Sequence, residues 1–100
     1  MFAVRERAVV DAYRVTLSGP LNVGQAGGLV QRFRELSVRG ITRVVVDLEG
    51  VPFLDSRGLV ALIAGYKLFG SDARNFCLVG VGIQPRLVFE LTGFDRVFGI

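Results

Sequence analysis

Asp55, Ser56 and Arg57 are the residues of this sequence whose types and spacing point most directly to chemistry. They follow a continuous apolar run, Val44-Val45-Val46-Asp47-Leu48, and a turn through Glu49, Gly50, Val51 and Pro52. They precede a segment in which Leu59, Leu62, Ile63 and Tyr66 fall at i, i+3, i+4 and i+7, one face of a helix. A hydroxyl at such a strand-to-helix junction is presented in the open, beside backbone N–H groups that attract an anion. A structural role competes with this reading. Asp and Ser are among the best helix N-caps, worth ~1 kcal/mol, and either Asp55 or Ser56 suits that position. N-caps are also far commoner than modified serines. A cap alone does not call for Gly58 inside the first turn, where glycine costs up to ~1 kcal/mol against alanine. Gly58 therefore reads as leaving room above Ser56 for the close approach of a partner.

The surrounding elements alternate between strands and helices. Phe2–Arg7 reads as a first strand and Val9–Leu17 as a second, interrupted by a turn near Asp11. Asn22 suits the N-cap of a helix whose stripe is Ala26, Leu29, Val30, Phe33 and Leu36. Gly24, Gly27 and Gly28 weaken the first half of that helix, and close packing against the sheet is the favoured reason. Gly24-x-x-Gly27 lacks the Lys-Ser/Thr that completes a phosphate loop. Gly40 ends this helix, and Val44–Leu48 is the central strand. The second helix runs from about Ser56 to Phe69, with Gly70 as its stop. Phe76–Val81 is a further buried strand. Pro85 opens a third helix, with Leu87, Val88 and Leu91 inward and Gly93 as its end. Phe94, Val97, Phe98 and Ile100 read as a short final strand or tail, with apolar surface near Phe98 and Ile100 left open. Strands alternating with helices imply an α/β layer.

Leu54-Asp55-Ser56-Arg57-Gly58-Leu59 resembles the signature of STAS domains, and in particular of the small bacterial anti-sigma factor antagonists. Their pattern runs Asp-Ser-(Ser/Thr)-Gly-Leu, and the first Ser takes a phosphoryl group from a partner kinase. Phe89-Glu90-Leu91-Thr92-Gly93-Phe94 is similar to the family's late Phe-x-x-Thr/Ser-Gly-Leu stretch, and Leu17-Ser18-Gly19-Pro20-Leu21-Asn22 to its Gly-Glu-Leu-Asp segment. The three span most of the chain in the expected order. The resemblance implies a single STAS-like α/β domain over residues 1–100, with a mixed four- to five-stranded sheet and helices packed mainly on one face. It carries the phosphorylated residue over to Ser56. It places partner contacts at Asp55, Ser56, Arg57 and Gly58, with Leu21 and Asn22 from the early segment. The sequence departs from the family pattern at three positions of these motifs. Arg57 stands for the second hydroxyl, and Pro20 and Asn22 stand for the Glu and Asp, which removes two carboxylates.

The totals narrow the function classes. One hundred residues make one domain. The apolar fraction of 51% and the mean hydropathy of +0.50 are high for a soluble chain, so a fully buried sheet or a partner surface must take up the surplus. No apolar run reaches the ~18 residues of a membrane span. Met1–Arg7 alternates apolar and charged residues and lacks the apolar core of a signal peptide. The expectation is a cytoplasmic protein. Net charge is +3, and Arg14, Arg32, Arg43, Arg74, Arg86 and Arg96 are scattered, a weak footprint for direct nucleic-acid binding. There is no histidine, which removes Ser-His-Asp and Cys-His catalysis. Asp47, Asp55 and Asp72 match no metal motif, so neither a metal nor a cofactor is expected. The lone Cys77, in the run Phe76–Val79, reads as a small buried hydrophobe.

Two classes of function follow from the resemblance. In the first, the chain is not an enzyme but an anti-sigma factor antagonist. It binds an anti-sigma factor that is also a serine kinase, and phosphorylation of Ser56 ends the complex. In the second, it is a STAS accessory subunit docked permanently on a transporter ATPase or a signalling scaffold, with Ser56 a plain cap.

Overall fold

Alternation of apolar and polar side chains makes the strands of this protein and decides which face of the sheet is covered. The computed structural model describes residues 1–100. Four strands lie in the order β1 (Ala3–Val9), β2 (Ala12–Ser18), β3 (Val44–Gly50) and β4 (Phe76–Val79). β1 and β2 form an antiparallel hairpin through Val10 and Asp11, whereas β2–β3 and β3–β4 are parallel. Asp11 has φ 63°, a left-handed conformation that aspartate tolerates better than most residues. Parallel neighbours need crossover connections. Helix α1 (Val23–Val38) supplies the first and α2 (Ser56–Leu68) the second; α3 (Ile83–Thr92) and the short α4 (Phe94–Phe98) follow β4.

The strand register puts Val15, Leu17, Val44, Val46, Leu48, Phe76 and Leu78 on one face, and all are buried. Leu29, Phe33 and Leu36 of α1 and Leu59 and Leu62 of α2 complete this core. Phe33 and Phe76 meet edge to face at 5.0 Å. A Cβ at Gly65 would lie 2.6 Å from the Phe76 ring and 2.7 Å from that of Phe33, so glycine is what lets α2 come down onto them. Phe98 packs against Tyr66, Phe76 and Phe89, which brings α4 to the same side. The helices thus cover one face. The opposite face carries Arg5, Arg7, Arg14, Thr16, Val45, Asp47, Cys77 and Val79. There Arg14 donates to Asp47 at 2.7 Å. Cys77, on this thinly covered face, is half-buried.

Three expectations are corrected. The end of the chain is α4, not a strand, and Phe98 is buried, only 4% exposed. Gly93, at φ 80°, re-aims the backbone, and Phe94 and Phe98 then stand one helical turn apart. In α3 Pro85 and Phe89 are buried and Val88 packs against the core as expected, but Leu87 and Leu91 are 51% and 78% exposed. At 3.6 residues per turn, positions two apart lie roughly opposite, so burying Phe89 turns Leu87 and Leu91 outward. The glycines of α1 are not packed against the sheet. A Cβ at Gly27 or Gly28 would meet nothing within 4 Å, and one at Gly24 only the Asn22 side chain at 3.3 Å.

Candidate functional site

Two crossover loops meet beyond the ends of β2 and β3. The Leu21 N–H donates to the Phe53 carbonyl at 2.9 Å, and the Asp55 N–H donates to the Leu21 carbonyl at 3.2 Å. Leu21 and Leu54 thereby form an isolated parallel bridge, and both side chains are buried. The Gln84 amide holds the same loop from α3. Its Nε2 donates to the Leu54 carbonyl at 3.0 Å, and its Oε1 accepts from the Leu54 N–H at 2.8 Å. Gln84 satisfies both backbone groups of one residue, as a neighbouring strand would.

Asp55 stands on this floor as the N-cap of α2. One carboxylate oxygen accepts from the Gly58 N–H at 2.8 Å, and the other from the Val23 N–H at 3.2 Å. Val23 is the first residue of α1. Asn22 caps α1 by accepting from the Gly24 N–H at 2.9 Å, and Gln25 Oε1 accepts from the Asn22 N–H at 3.3 Å, a capping box. The positive ends of two helices therefore converge on the Asp55 carboxylate.

This arrangement decides between the two residues that could cap α2. The cap is Asp55, so the plain-cap role for Ser56 is corrected. Ser56 is the first residue of the helix, is exposed, and has its hydroxyl in no hydrogen bond of the chain. Arg57 is the next residue, exposed and in none of the chain's ion pairs. Gly58 does not leave open space. A Cβ there would lie 2.5 Å from the Leu21 carbonyl oxygen and 2.6 Å from Leu54 Cδ1, so glycine serves the close packing of α2 onto the bridged loops. Leu21 is fully buried and lies beneath the surface. Of the six residues singled out as partner contacts, Asn22, Asp55, Ser56 and Arg57 reach the surface; Leu21 and Gly58 support them from below.

Sequence reasoning missed Gln84, whose partner lies 30 residues away and leaves no local signal. It also missed the exposed apolar residues Phe53, in this loop, and Ile83, the α3 residue next to Gln84, 46% and 94% exposed. No three His, Cys, Asp or Glu side chains gather into a metal-binding group.

Comparison with known proteins identifies the family of the fold. The chain matches the STAS domain family over residues 3–100. It is 26% identical over 90 residues to an anti-sigma-B factor antagonist of Staphylococcus epidermidis, covering 90% of this chain and 83% of the relative. The crystal structure of an anti-sigma factor antagonist from Mycobacterium paratuberculosis superposes with a TM-score of 0.86 at 28% identity, over 98% of this chain and 83% of that one. The anti-sigma factor antagonist SpoIIAA in its unphosphorylated form shares the fold, with a TM-score of 0.70 at 20% identity over the full length of both chains. With its mixed four-stranded sheet, its bridged crossover loops and its Asp-Ser helix start, the chain belongs to the STAS domain family.

Proposed function

We propose that this domain is an anti-sigma factor antagonist whose binding is switched by phosphorylation of Ser56. The unmodified domain binds an anti-sigma factor with serine-kinase activity through the surface formed by Asn22, Asp55, Ser56 and Arg57. In the complex the kinase transfers the γ-phosphoryl group of ATP to the Ser56 hydroxyl. The Oγ–P bond forms, the bond from the γ-phosphorus to the bridging oxygen breaks, ADP leaves, and the hydroxyl proton passes to a base of the kinase. The domain is the substrate of this step and catalyses nothing. It acts in the cytoplasm, where the kinase finds ATP.

The observation that carries this reading is the free hydroxyl of Ser56 at the first position of α2, with the cap role taken by Asp55. The relatives named as anti-sigma factor antagonists support the choice of partner. Phosphate adds about −1.5 to −2 charges. Within the domain that charge meets a helix N-terminus and is favoured by ~0.3–1 kcal/mol. In a closed interface it must be desolvated, and about 3 kcal/mol lost there is roughly a hundredfold in affinity. The complex dissolves while the fold persists.

The test is retention of the partner kinase by Ser56→Ala and Ser56→Asp. Ser56→Ala is expected to fold, resist phosphorylation and hold the partner permanently, and Ser56→Asp to fold and bind more weakly. Equal retention of both, with no phosphate on Ser56 by mass spectrometry after incubation with kinase and ATP, supports instead a permanent accessory subunit. Arg57 at the place of the family's second hydroxyl favours that second reading.

A further inference from the structure

We propose that the free edge of β1 is a docking site for an extended segment of another protein in which acidic and apolar residues alternate. β1 pairs with β2 on one side and with nothing on the other. It is seven residues long, without proline, and its register with β2 is unbroken. Short length, proline and bulges are the usual protections of an edge strand. This edge has none of these three; its protection is charge, from Arg5 and Arg7 on one face and Glu6 on the other, which leaves its backbone groups open to a strand of complementary charge.

The two faces of the edge differ in chemistry. On the open face of the sheet, Arg5 and Arg7 are exposed and enter no ion pair. Arg7 lies directly opposite Arg14, a cross-strand like-charge pair that costs stability. Asp47 offsets the Arg14 half of that pair, at 2.7 Å, and its other oxygen accepts from the Glu49 N–H at 2.9 Å, so no carboxylate of the chain is left for Arg7 or Arg5. Glu6 lies between the two arginines in sequence but faces the helices, where Arg32 and the Tyr13 hydroxyl hold it. An acid supplied from outside is what this face lacks.

On the other face, a groove of about 450 Å³ runs between β1 and α1. Phe2, Val4 and Glu6 form one wall, and Gly24, Gln25, Gly28, Leu29 and Arg32 the other, with the Glu6–Arg32 ion pair joining the two. A Cβ on Gly28 would touch nothing, so the chain itself has no packing reason for glycine there. Helix propensity argues against glycine in mid-helix. Its presence keeps the groove open. Side chains of an added strand alternate between faces. One set would reach Arg5 and Arg7, and the other would enter the groove. A second copy of this chain is a poor occupant, because antiparallel self-pairing about Glu6 sets Arg5 against Arg7 twice.

The probe is a labelled peptide of about nine residues alternating glutamate with valine, titrated into the full chain and followed by fluorescence anisotropy. Saturable binding is expected, with added hydrogen-exchange protection at alternate amides of Ala3–Val9. The paired change Arg5→Glu and Arg7→Glu is expected to weaken it about tenfold or more. Gly28→Leu is expected to weaken it similarly while the melting temperature holds or rises, a combination that a merely structural role of Gly28 does not give. The matching lysine–valine peptide is expected not to bind. Absence of saturation, affinity unchanged by both variants, or unchanged protection along β1 would overturn the proposal. So would tighter binding of an oligodeoxythymidylate than of the peptide, or concentration-dependent self-association abolished by the arginine changes.

Discussion

Replacing Asp55 with alanine separates the cap from the phosphate acceptor. Asp55→Ala removes the acceptor of the Gly58 N–H and that of the Val23 N–H together. The first loss is that of an N-cap, ~1 kcal/mol. The second unpairs the first turn of α1, which Asn22 still caps elsewhere, and a bond to a charged but partly solvated acceptor is worth about 1 kcal/mol more. The sum is about 2 kcal/mol, or a fall of about 8–16 °C in melting temperature for a domain of this size. Asp55→Asn keeps an oxygen for Gly58 and gives up the charge and the second acceptor, so about half the loss is expected. Ser56→Ala takes away a hydroxyl that bonds to nothing in the chain, and its cost is expected to stay within about 0.5 kcal/mol. Urea unfolding of the three variants, followed by circular dichroism, gives the order directly. If Ser56→Ala matched Asp55→Ala in cost, Ser56 would be the working cap in solution, and its free hydroxyl would no longer support the switch.

The glycines divide into two kinds that opposite responses will reveal. Gly58→Ala drives a Cβ into the Leu21 carbonyl and Leu54 and is expected to cost about 1–3 kcal/mol, whereas Gly27→Ala is expected to stabilise by up to about 1 kcal/mol, both read by chemical denaturation. At Asp72, the Arg74 side-chain hydrogen bond, then its backbone N–H and charge, hold the carboxyl below the usual carboxylate range. A depressed carboxyl contributes stability above its unfolded pKa, about 3.9, and loses it as pH falls through the lower folded value. Arg74→Ala is expected to move the Asp72 titration up toward the unfolded value, measured by carboxyl NMR.

The strands and α1 were legible because their patterns are strong. Val44–Leu48 is apolar without interruption, and the stripe through Leu29, Phe33 and Leu36 repeats at helical spacing over several turns. The phase of α3 was not legible. Pro85-Arg86-Leu87-Val88-Phe89 and the residues after it offer apolar side chains in several directions, and the aromatic contact of Phe89 with Phe98 decides which turn inward. That partner belongs to α4, whose own helical character depends on the left-handed turn at Gly93. The site was legible as a motif and less so as a construction. Asp55, Ser56 and Arg57 announce themselves, but the bridge between Leu21 and Leu54 and the brace from Gln84 join residues about 30 positions apart. Glycine also carries no label for its purpose. Gly58 resembled a gap for a partner and is a packing contact, and Gly28 resembled a packing contact and is a gap.

The places where this chain leaves the family pattern keep the geometry of the site and change its charge. Gly19 N donates to the Gly50 carbonyl at 2.8 Å, and Leu21 N to that of Phe53. The residue between them is asked for no N–H, so Pro20, which has none, fits. Asn22 caps α1 as well as an aspartate would, the two being nearly equal in that position. The electrostatic outcome is different. Among the motif positions Asp55 and Arg57 cancel, which leaves the two helix N-termini at about +0.5 each. With Glu, Asp and an uncharged hydroxyl at positions 20, 22 and 57, the same cluster would carry about −2. A phosphate of about −2 takes that family arrangement from about −2 to −4. On the phosphorylation reading it takes this chain from about +1 to −1. The sign reverses here, where in the family pattern an existing negative charge deepens. Within a Debye length of about 8 Å, a reversal turns attraction for an acidic partner surface into repulsion without a large final charge. Arg57 and the two missing carboxylates then act in one direction. On that reading they raise the resting potential beside Ser56, leave the size of the step unchanged, and fit the proposed partner if its contact surface is more acidic than the one the family pattern meets.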